Sequence, residues 1–319
     1  MNILKSYECM NACILNHMNR AGMEINGSDI FFSGGGFPVS YKKGSLTRIV
    51  SDGYEANFRF LDQYGFDYKF GRVSPEKESL LSFLENSGAI TIGMVSDFLT
   101  YDPVFSQTSG ASHFINILKY DSNKMKFYIA DGDVPSAETG TYLGWLDESD
   151  VLMGWEIKCG EIFVLKLFEG LDQKKLCQRV REEANLQVER SIRCYLEGKD
   201  HFWQSRSTGE KAISCMVKEM GKYVEKGGFR DITLDANFHL RVDGYMGAKK
   251  FLLEKLWEQG KTKLAEEYKV LIERWSKWCM LLLKSGLVAT EENFSFVKQR
   301  MEELVQQEHQ ILVQRKLSN

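Results

Sequence analysis

The chain has 319 residues, 43% hydrophobic and 27% charged, with a formal net charge of -3 and a pI near 6.1. That length allows about two domains and a core that needs no cross-links, and the charge excludes bulk attraction to nucleic acid or to anionic lipid. No apolar run approaches the ~18 residues that span a bilayer, and Met1-Asn2-Ile3-Leu4-Lys5 lacks the basic end and apolar block of a secretory signal.

In chain order, Met10 to Arg20 predicts a helix with apolar residues at 10, 14, 15 and 18, stopped by Gly22. Cys9 stands at its start, where a helix N-terminus is expected to lower a thiol pKa. Residues 31–38, with Gly34-Gly35-Gly36 and Pro38, read as a loop. Helices are expected over Tyr54–Tyr64 and Glu76–Glu85, a buried strand over Ala89–Val95, a β-hairpin over 113–131, and a last strand over Gly160–Phe168. All four prolines fall in this half. Beyond residue 170 five amphipathic helical patterns follow, at about 172–198, 208–226, 244–259, 262–284 and 290–315. Their apolar stripes, such as Leu253, Leu256 and Trp257 or Leu271, Trp275, Trp278 and Leu282, read as core. The chain is therefore expected to be α+β, with domains at 1–168 and 169–319.

The hairpin carries the chemistry. Ser112 to Tyr120 is strand-like, Asp121-Ser122-Asn123-Lys124 is a turn composition, and Lys126 to Asp131 is strand-like again. A reversal at Ser122-Asn123 makes paired positions sum to about 245, so His113 lies opposite residue 131 or 132. His113, Ile115 and Ile117 then share a face with Phe127, Ile129 and Asp131, provided the register does not slip by one. Taken singly, the histidine, the aspartate and the cysteine read as structural residues. Together they supply a thiol nucleophile, a general base and a group that fixes the imidazole tautomer. Cys13, one helical turn after Cys9, is the rival nucleophile.

Other motifs carry less. The cysteines are Cys9, Cys13, Cys159, Cys177, Cys194, Cys215 and Cys279. They are odd in number and form no CxxC pair, which speaks against zinc-finger or thioredoxin-like chemistry and for a reducing cytoplasm. The glycine run is not followed by Lys-Ser/Thr, so a phosphate loop is unsupported and a tight turn or close approach is expected. His201 and His239 lack partners at ligand spacing, so no metal is expected.

The chain resembles the papain-like superfamily in its short bacterial forms, and most nearly the family named for butirosin biosynthesis protein H. The likeness rests on Glu8-Cys9-Met10-Asn11-Ala12-Cys13, Gly22-Met23-Glu24-Ile25, Phe31-Phe32-Ser33-Gly34-Gly35-Gly36-Phe37, Ser112-His113-Phe114-Ile115 and Tyr128-Ile129-Ala130-Asp131. In the second half, Gly209-Glu210-Lys211-Ala212-Ile213 and Gly244-Tyr245-Met246-Gly247-Ala248 through Leu253 are similar to its helical part. The chain is also similar to papain-like amide-forming enzymes of closthioamide biosynthesis.

The resemblance implies a papain-like fold with an antiparallel sheet and a helical C-terminal part, with Cys9 as nucleophile, His113 as base and Asp131 as orienting acid. It further implies acyl transfer in secondary-metabolite biosynthesis, from a carrier-protein thioester through acyl-Cys9 to a small amine such as a diamine or an aminoglycoside. The phosphopantetheine arm of an acyl or peptidyl carrier protein is then the donor, and the enzyme binds no cofactor of its own. Neither nucleic acid nor membrane is an expected partner; the oligomeric state is open, a homodimer included.

One departure stands out. Papain-like peptidases place an oxyanion-hole glutamine some six residues before the cysteine, a position held here by Ile3. The Cys9 N–H remains a donor, with Asn2, Ser6 and Asn11 as side-chain candidates. Losing such a donor costs about 10²–10³ in rate, which an activated thioester tolerates better than a peptide. A peptidase or amidase with the same triad, and an inactive papain-like binding scaffold, are the alternatives. Glu8 and Asp97 are candidates to hold a cationic amine.

Overall fold

The computed structural model describes residues 2–37, 39–45, 49–50, 53–105, 110–166, 172–198, 207–224, 226, 228–241 and 244–317. Pro38, the strand end at 167–168, the 168/169 domain boundary, His201 and Glu225 lie outside the described residues. In chain order come α1 (Cys9–Arg20), α2 (Gly27–Ser33), β1 (Ser40–Tyr41), β2 (Ile49–Val50), α3 (Gly53–Gln63), β3 (Asp67–Arg72) and α4 (Lys77–Ser87). Next are β4 (Ile90–Val95), β5 (Ser112–Asp121), β6 (Lys126–Asp131), β7 (Tyr142–Asp147), α5 (Glu148–Ile157) and β8 (Glu161–Lys166). The remainder is α6 (Gln173–Glu197), β9 (Ser207–Thr208), α7 (Glu210–Gly221), α8 (Phe229–Arg241), α9 (Tyr245–Glu258), α10 (Thr262–Leu287) and α11 (Glu291–Leu317).

The protein is α+β, with antiparallel strand pairing and a helical C-terminal half. Two compact units form, one from Met1–Ile30 and Asn57–Arg181, the other from Phe31–Ala56 and Glu182–Asn319. Residues 31–56 thus gather with the helical unit, whereas composition assigns them to the first domain. Among the described residues no helix is long and apolar enough to cross a membrane.

In the first unit a six-stranded sheet runs β3-β8-β4-β5-β6-β7. Its central strand, Ile90-Thr91-Ile92-Gly93-Met94-Val95, is buried throughout, as a β-branched run covered on both faces must be. On one face Ile92, Met94, Ile115 and Ile129 pack against Leu80 of α4 and Trp155 of α5. The other face receives α1 through polar groups that all find partners. The His17 Nε2–H donates to Thr91 Oγ1 (3.0 Å), Thr91 donates to Asn116 Oδ1 (2.6 Å), and Asn116 Nδ2 donates to the Cys13 carbonyl (3.1 Å). This order of donors requires the Nε2–H tautomer of His17. Burial pushes the pKa of His17 down to about 4, so it stays neutral.

The second unit combines the small sheet β2-β1-β9 with helices α7 to α11. Leu271, Trp275, Trp278 and Leu282 form its core, as the stripe on α10 predicts, whereas Trp257 on α9 is exposed. On that helix the buried side includes Phe251, Leu252, Lys255 and Leu256.

Among the elements that escape the sequence reading, β3, β7 and α5 are short or weakly patterned, whereas α8 is a 13-residue amphipathic helix. The expected loop at 31–38 begins as the end of α2, and its glycines serve that helix. Gly35 and Gly36 donate their N–H groups to the carbonyls of Phe32 and Phe31 at 2.8 and 2.9 Å. A Cβ on Gly34 would lie 2.0 Å from the Ala56 carbonyl oxygen, so the close approach there is to this chain's own backbone.

Candidate active site

Residues before Cys9 run antiparallel along α1 and define its N-terminus. Leu4 exchanges two hydrogen bonds with the Asn16 side chain (2.8 and 2.9 Å), and Asn19 donates to the Asn2 carbonyl at 3.0 Å. Glu8 is the N-cap: its carboxylate accepts from the N–H groups of Met10 (3.0 Å) and Asn11 (2.7 Å) and from Asn57 Nδ2 (2.7 Å). Satisfying two orphan N–H groups with one side chain is ordinary capping chemistry. Here it also sets a carboxylate 3.7 Å from the Cys9 sulfur.

That contact corrects the expectation of an activated thiol. Burial pushes the Cys9 thiol well above its ordinary range, and the charges of Glu8 and Asp133 add to the effect, while the Phe114 N–H opposes it. The helix dipole is met by the Glu8 carboxylate before it reaches the sulfur. In the resting protein Cys9 is therefore a protonated thiol. Cys9 is partly exposed, whereas Cys13 is buried, so access favours Cys9 of the two.

His113 and Asp131 meet directly, with His113 Nε2 donating to Asp131 Oδ2 at 2.8 Å. Both are buried, at 6% and 1% exposure. The hairpin reaches this geometry by a route the sequence does not display. Near the turn the pairs sum to 247 (Asp121 with Lys126, Tyr120 with Phe127), and past an irregularity at Leu118 they sum to 246 (Ile117 with Ile129, Asn116 with Ala130). Without that bulge Asp131 would continue opposite Asn116, on the face that receives α1. The one-residue shift carries it onto the face of His113, Ile115 and Ile117.

Burial opposes charge on His113, but the Asp131 carboxylate outweighs it and the histidine pKa is raised. Burial likewise opposes charge on Asp131, and the charge of His113 and its hydrogen bond hold the acid below its usual range. A third group joins them. Tyr101 donates to the same Oδ2 at 2.6 Å, and the Asp133 N–H occupies Oδ1 at 2.9 Å. The Tyr101 ring stacks on Tyr142, and Phe105 covers the His113 ring at a centroid distance of 4.5 Å. Gly132 lets the strand end abut α1 and the segment before it, since a Cβ there would lie 2.5 Å from the Leu4 carbonyl oxygen and 2.9 Å from Asn16 Nδ2.

Cys9 lies at the same end of β5, with its sulfur against the backbone N–H of Phe114, the residue after His113. His113 and α1 belong to opposite faces of the sheet, and among the described residues no direct Cys9–His113 hydrogen bond is present. His113 Nδ1 has no partner there either, and is the ring nitrogen left for a thiol. The Cys9 N–H also has no acceptor among the described residues. The side-chain oxyanion candidates fare worse: Ser6 donates to Asn11 Oδ1 (2.6 Å), and Asn11 Nδ2 is used by Gly27 and Asn57. Asn2 sits beside Asn19, at the far end of α1. Asp97 accepts from the Gly110 N–H (3.0 Å), a loop contact. His239 pairs with Asp235 on its own helix at 3.5 Å. Among the described residues no group of three or more His, Cys, Asp or Glu is placed to hold a metal ion.

Sequence reasoning missed Tyr101, Asn57 and the capping role of Glu8. For Tyr101 and Asn57 no local signal exists, because each meets its partner across 30 or more residues. The Glu8 cap was legible, as an acid directly before a helical run. No family model matches the chain, and no curated protein matches it.

Proposed function

We propose that the protein is a papain-like thiol acyltransferase that forms an amide, with Cys9 as nucleophile, His113 as base and Asp131 as orienting acid, acting in the reducing cytoplasm. The observation that carries this reading is the buried His113–Asp131 bond at 2.8 Å, with the Cys9 sulfur of α1 against the N–H of Phe114, the residue after His113. An imidazole held through Nε2 presents Nδ1 as the proton acceptor.

In the first half-reaction His113 Nδ1 takes the thiol proton as sulfur attacks the carbonyl carbon of a carrier-protein thioester. The pantetheine thiolate leaves, takes the proton from the imidazolium, and acyl-Cys9 remains. An amine then attacks, His113 accepts its proton and returns it to the departing Cys9 sulfur, and an amide is released. The Cys9 N–H is the available donor to each oxyanion. A resting thiol suits a thioester donor, whose leaving group is good, better than a peptide.

Intact-mass analysis after incubation with an acyl-phosphopantetheine thioester tests the proposal. An acyl adduct on the wild type and none on Cys9→Ala supports it; turnover in Cys9→Ala rejects it. A second reading, a papain-like binding scaffold without activity, draws on the opposite sheet faces of Cys9 and His113. That reading expects no adduct on either protein.

A further inference from the structure

At the C-terminal end of α1 an open groove of about 650 Å³ is lined by Asn2, Asn19, Arg20, Leu118, Lys119 and Tyr128. No carboxylate lines it, although the chain carries a net charge of -3. Among the described residues Arg20 has no ion pair or hydrogen bond. The Lys119 ammonium sits over the rings of Tyr128 (4.8 Å) and Trp145 (5.1 Å) and meets no acid. Lys124, 5.0 Å from the Trp145 ring, is paired with Asp121 at 3.3 Å and leaves the groove's charge to Arg20 and Lys119. The α1 carbonyls of His17, Met18 and Asn19 are taken up by the N–H groups of Ala21, Gly22 and Met23, so the cations rather than the helix end set the local field.

The groove is also at a defined distance from the thiol. Eleven residues of helix separate Cys9 from Arg20, or roughly 16 Å at 1.5 Å per residue. The strand gives the same answer: Phe114 lies beside Cys9 and Lys119 beside the groove, five residues and roughly 17 Å apart. Between the two ends runs the segment Asn2–Glu8, exposed at Asn2 and Lys5, buried at Ser6 and half-buried elsewhere, with Asn2 at the groove and Glu8 at Cys9.

We infer that this groove binds the phosphate of a phosphopantetheine-type thioester whose sulfur end reaches Cys9. The inference rests on the acyl-transfer reading for the sulfur end; the phosphate end stands on the groove alone. The arm is peptide-like, and its extended length, equivalent to about five residues, is roughly 17 Å. Arg20 and Lys119 supply charge-assisted hydrogen bonds to the phosphate, and Leu118 and Tyr128 give the dimethyl end of the arm an apolar wall.

Two readouts test it. Calorimetric binding of 4′-phosphopantetheine, pantetheine and inorganic phosphate is measured on Cys9→Ser, alone and with Arg20→Gln and Lys119→Gln, with Lys175→Gln as a remote control. Phosphopantetheine is expected to bind roughly tenfold tighter than pantetheine, an advantage lost in the Arg20→Gln/Lys119→Gln variant and kept in the control. Equal affinity for both arms, or an advantage that survives the double substitution, overturns the inference. Acylation of Cys9 by acyl-phosphopantetheine and acyl-pantetheine is followed separately by mass. Acylation by both at one rate removes the groove but leaves the acyl-transfer reading standing. Phosphate-dependent binding without acylation keeps the groove and removes the transferase. Binding of inorganic phosphate as tight as that of the arm assigns the site to free anions and overturns the link to Cys9. A carrier protein bearing the arm binding no tighter than free phosphopantetheine identifies the free thioester as the source of the phosphate.

Discussion

His113–Asp131 and Lys249–Glu308 are both hydrogen-bonded acid–base pairs removed from solvent, one in each unit. In both, tyrosine hydroxyls donate to the carboxylate: Tyr101 to Asp131, and Tyr195 (3.0 Å) and Tyr268 (2.9 Å) to Glu308. The pairs differ in what is left over. Lys249 bonds both Glu308 oxygens, and the faces of Tyr245 and Trp275 lie 4.3 and 5.1 Å from its ammonium. His113 keeps Nδ1 unengaged at a strand end where a partly exposed thiol begins a helix. Burial and perturbed ionisation are common to the two clusters, so they do not mark a reaction centre. What supports the proposed centre is a ring nitrogen left without a partner among the described residues, at the strand end where the partly exposed Cys9 begins α1.

The comparison is broken most directly at the carboxylates. Asp131→Asn should cut the rate of Cys9 acylation by roughly 10³–10⁴, because the imidazole loses its fixed tautomer. An acylation time course reads this, and an unchanged rate would place Asp131 outside the chemistry. On the other side, Lys249→Met should leave Glu308 as a buried unpaired charge and cost about 3–5 kcal/mol in a urea titration. The Lys249→Met/Glu308→Leu pair should recover most of it.

Titration separates two histidines. The folded pKa of His17 is depressed to about 4 from 6.5, so the unfolded chain takes up the proton first as pH falls. Stability should drop between pH 6.5 and 4 by roughly 3 kcal/mol, and His17→Gln should flatten that slope in denaturation curves. His113 has a raised folded pKa. Its stabilisation is complete below 6.5 and is lost as pH climbs through the raised value, so the two windows lie on opposite sides of 6.5. Tyr101→Phe, the smallest change in stability, should cost about 1 kcal/mol and move the His113 imidazole titration upward by NMR, since Asp131 keeps more of its charge for the ring. Glu8→Gln should shift Cys9 alkylation to lower pH by removing a charge 3.7 Å from sulfur; an unmoved profile would leave burial and the charge of Asp133 as the causes of the raised thiol.

Much of the architecture could be read from the residues. The run Ile90–Val95 announces a buried strand by its β-branched content, and Leu271, Trp275, Trp278 and Leu282 announce a helix face by their spacing. Gly22 stops α1 where its composition says it must. These signals are local, and each element carries its own. The short α5 and the edge strands β3 and β7 hide because their residues are half-buried or, in β3, mostly exposed, and carry little pattern. The hairpin was foreseen and its register missed by one, because the bulge at Leu118 has no glycine or proline to mark it.

By itself the sequence determined most of the long helices and the central strands, that a cysteine starts the first helix, and that a histidine and an aspartate ride on one hairpin. Tertiary structure alone decided the register that joins His113 to Asp131, the hydroxyl that Tyr101 adds, and the resting state of the thiol. Helix and strand periods are written in neighbouring residues, whereas a pKa depends on the desolvation and charge that distant segments bring to one point.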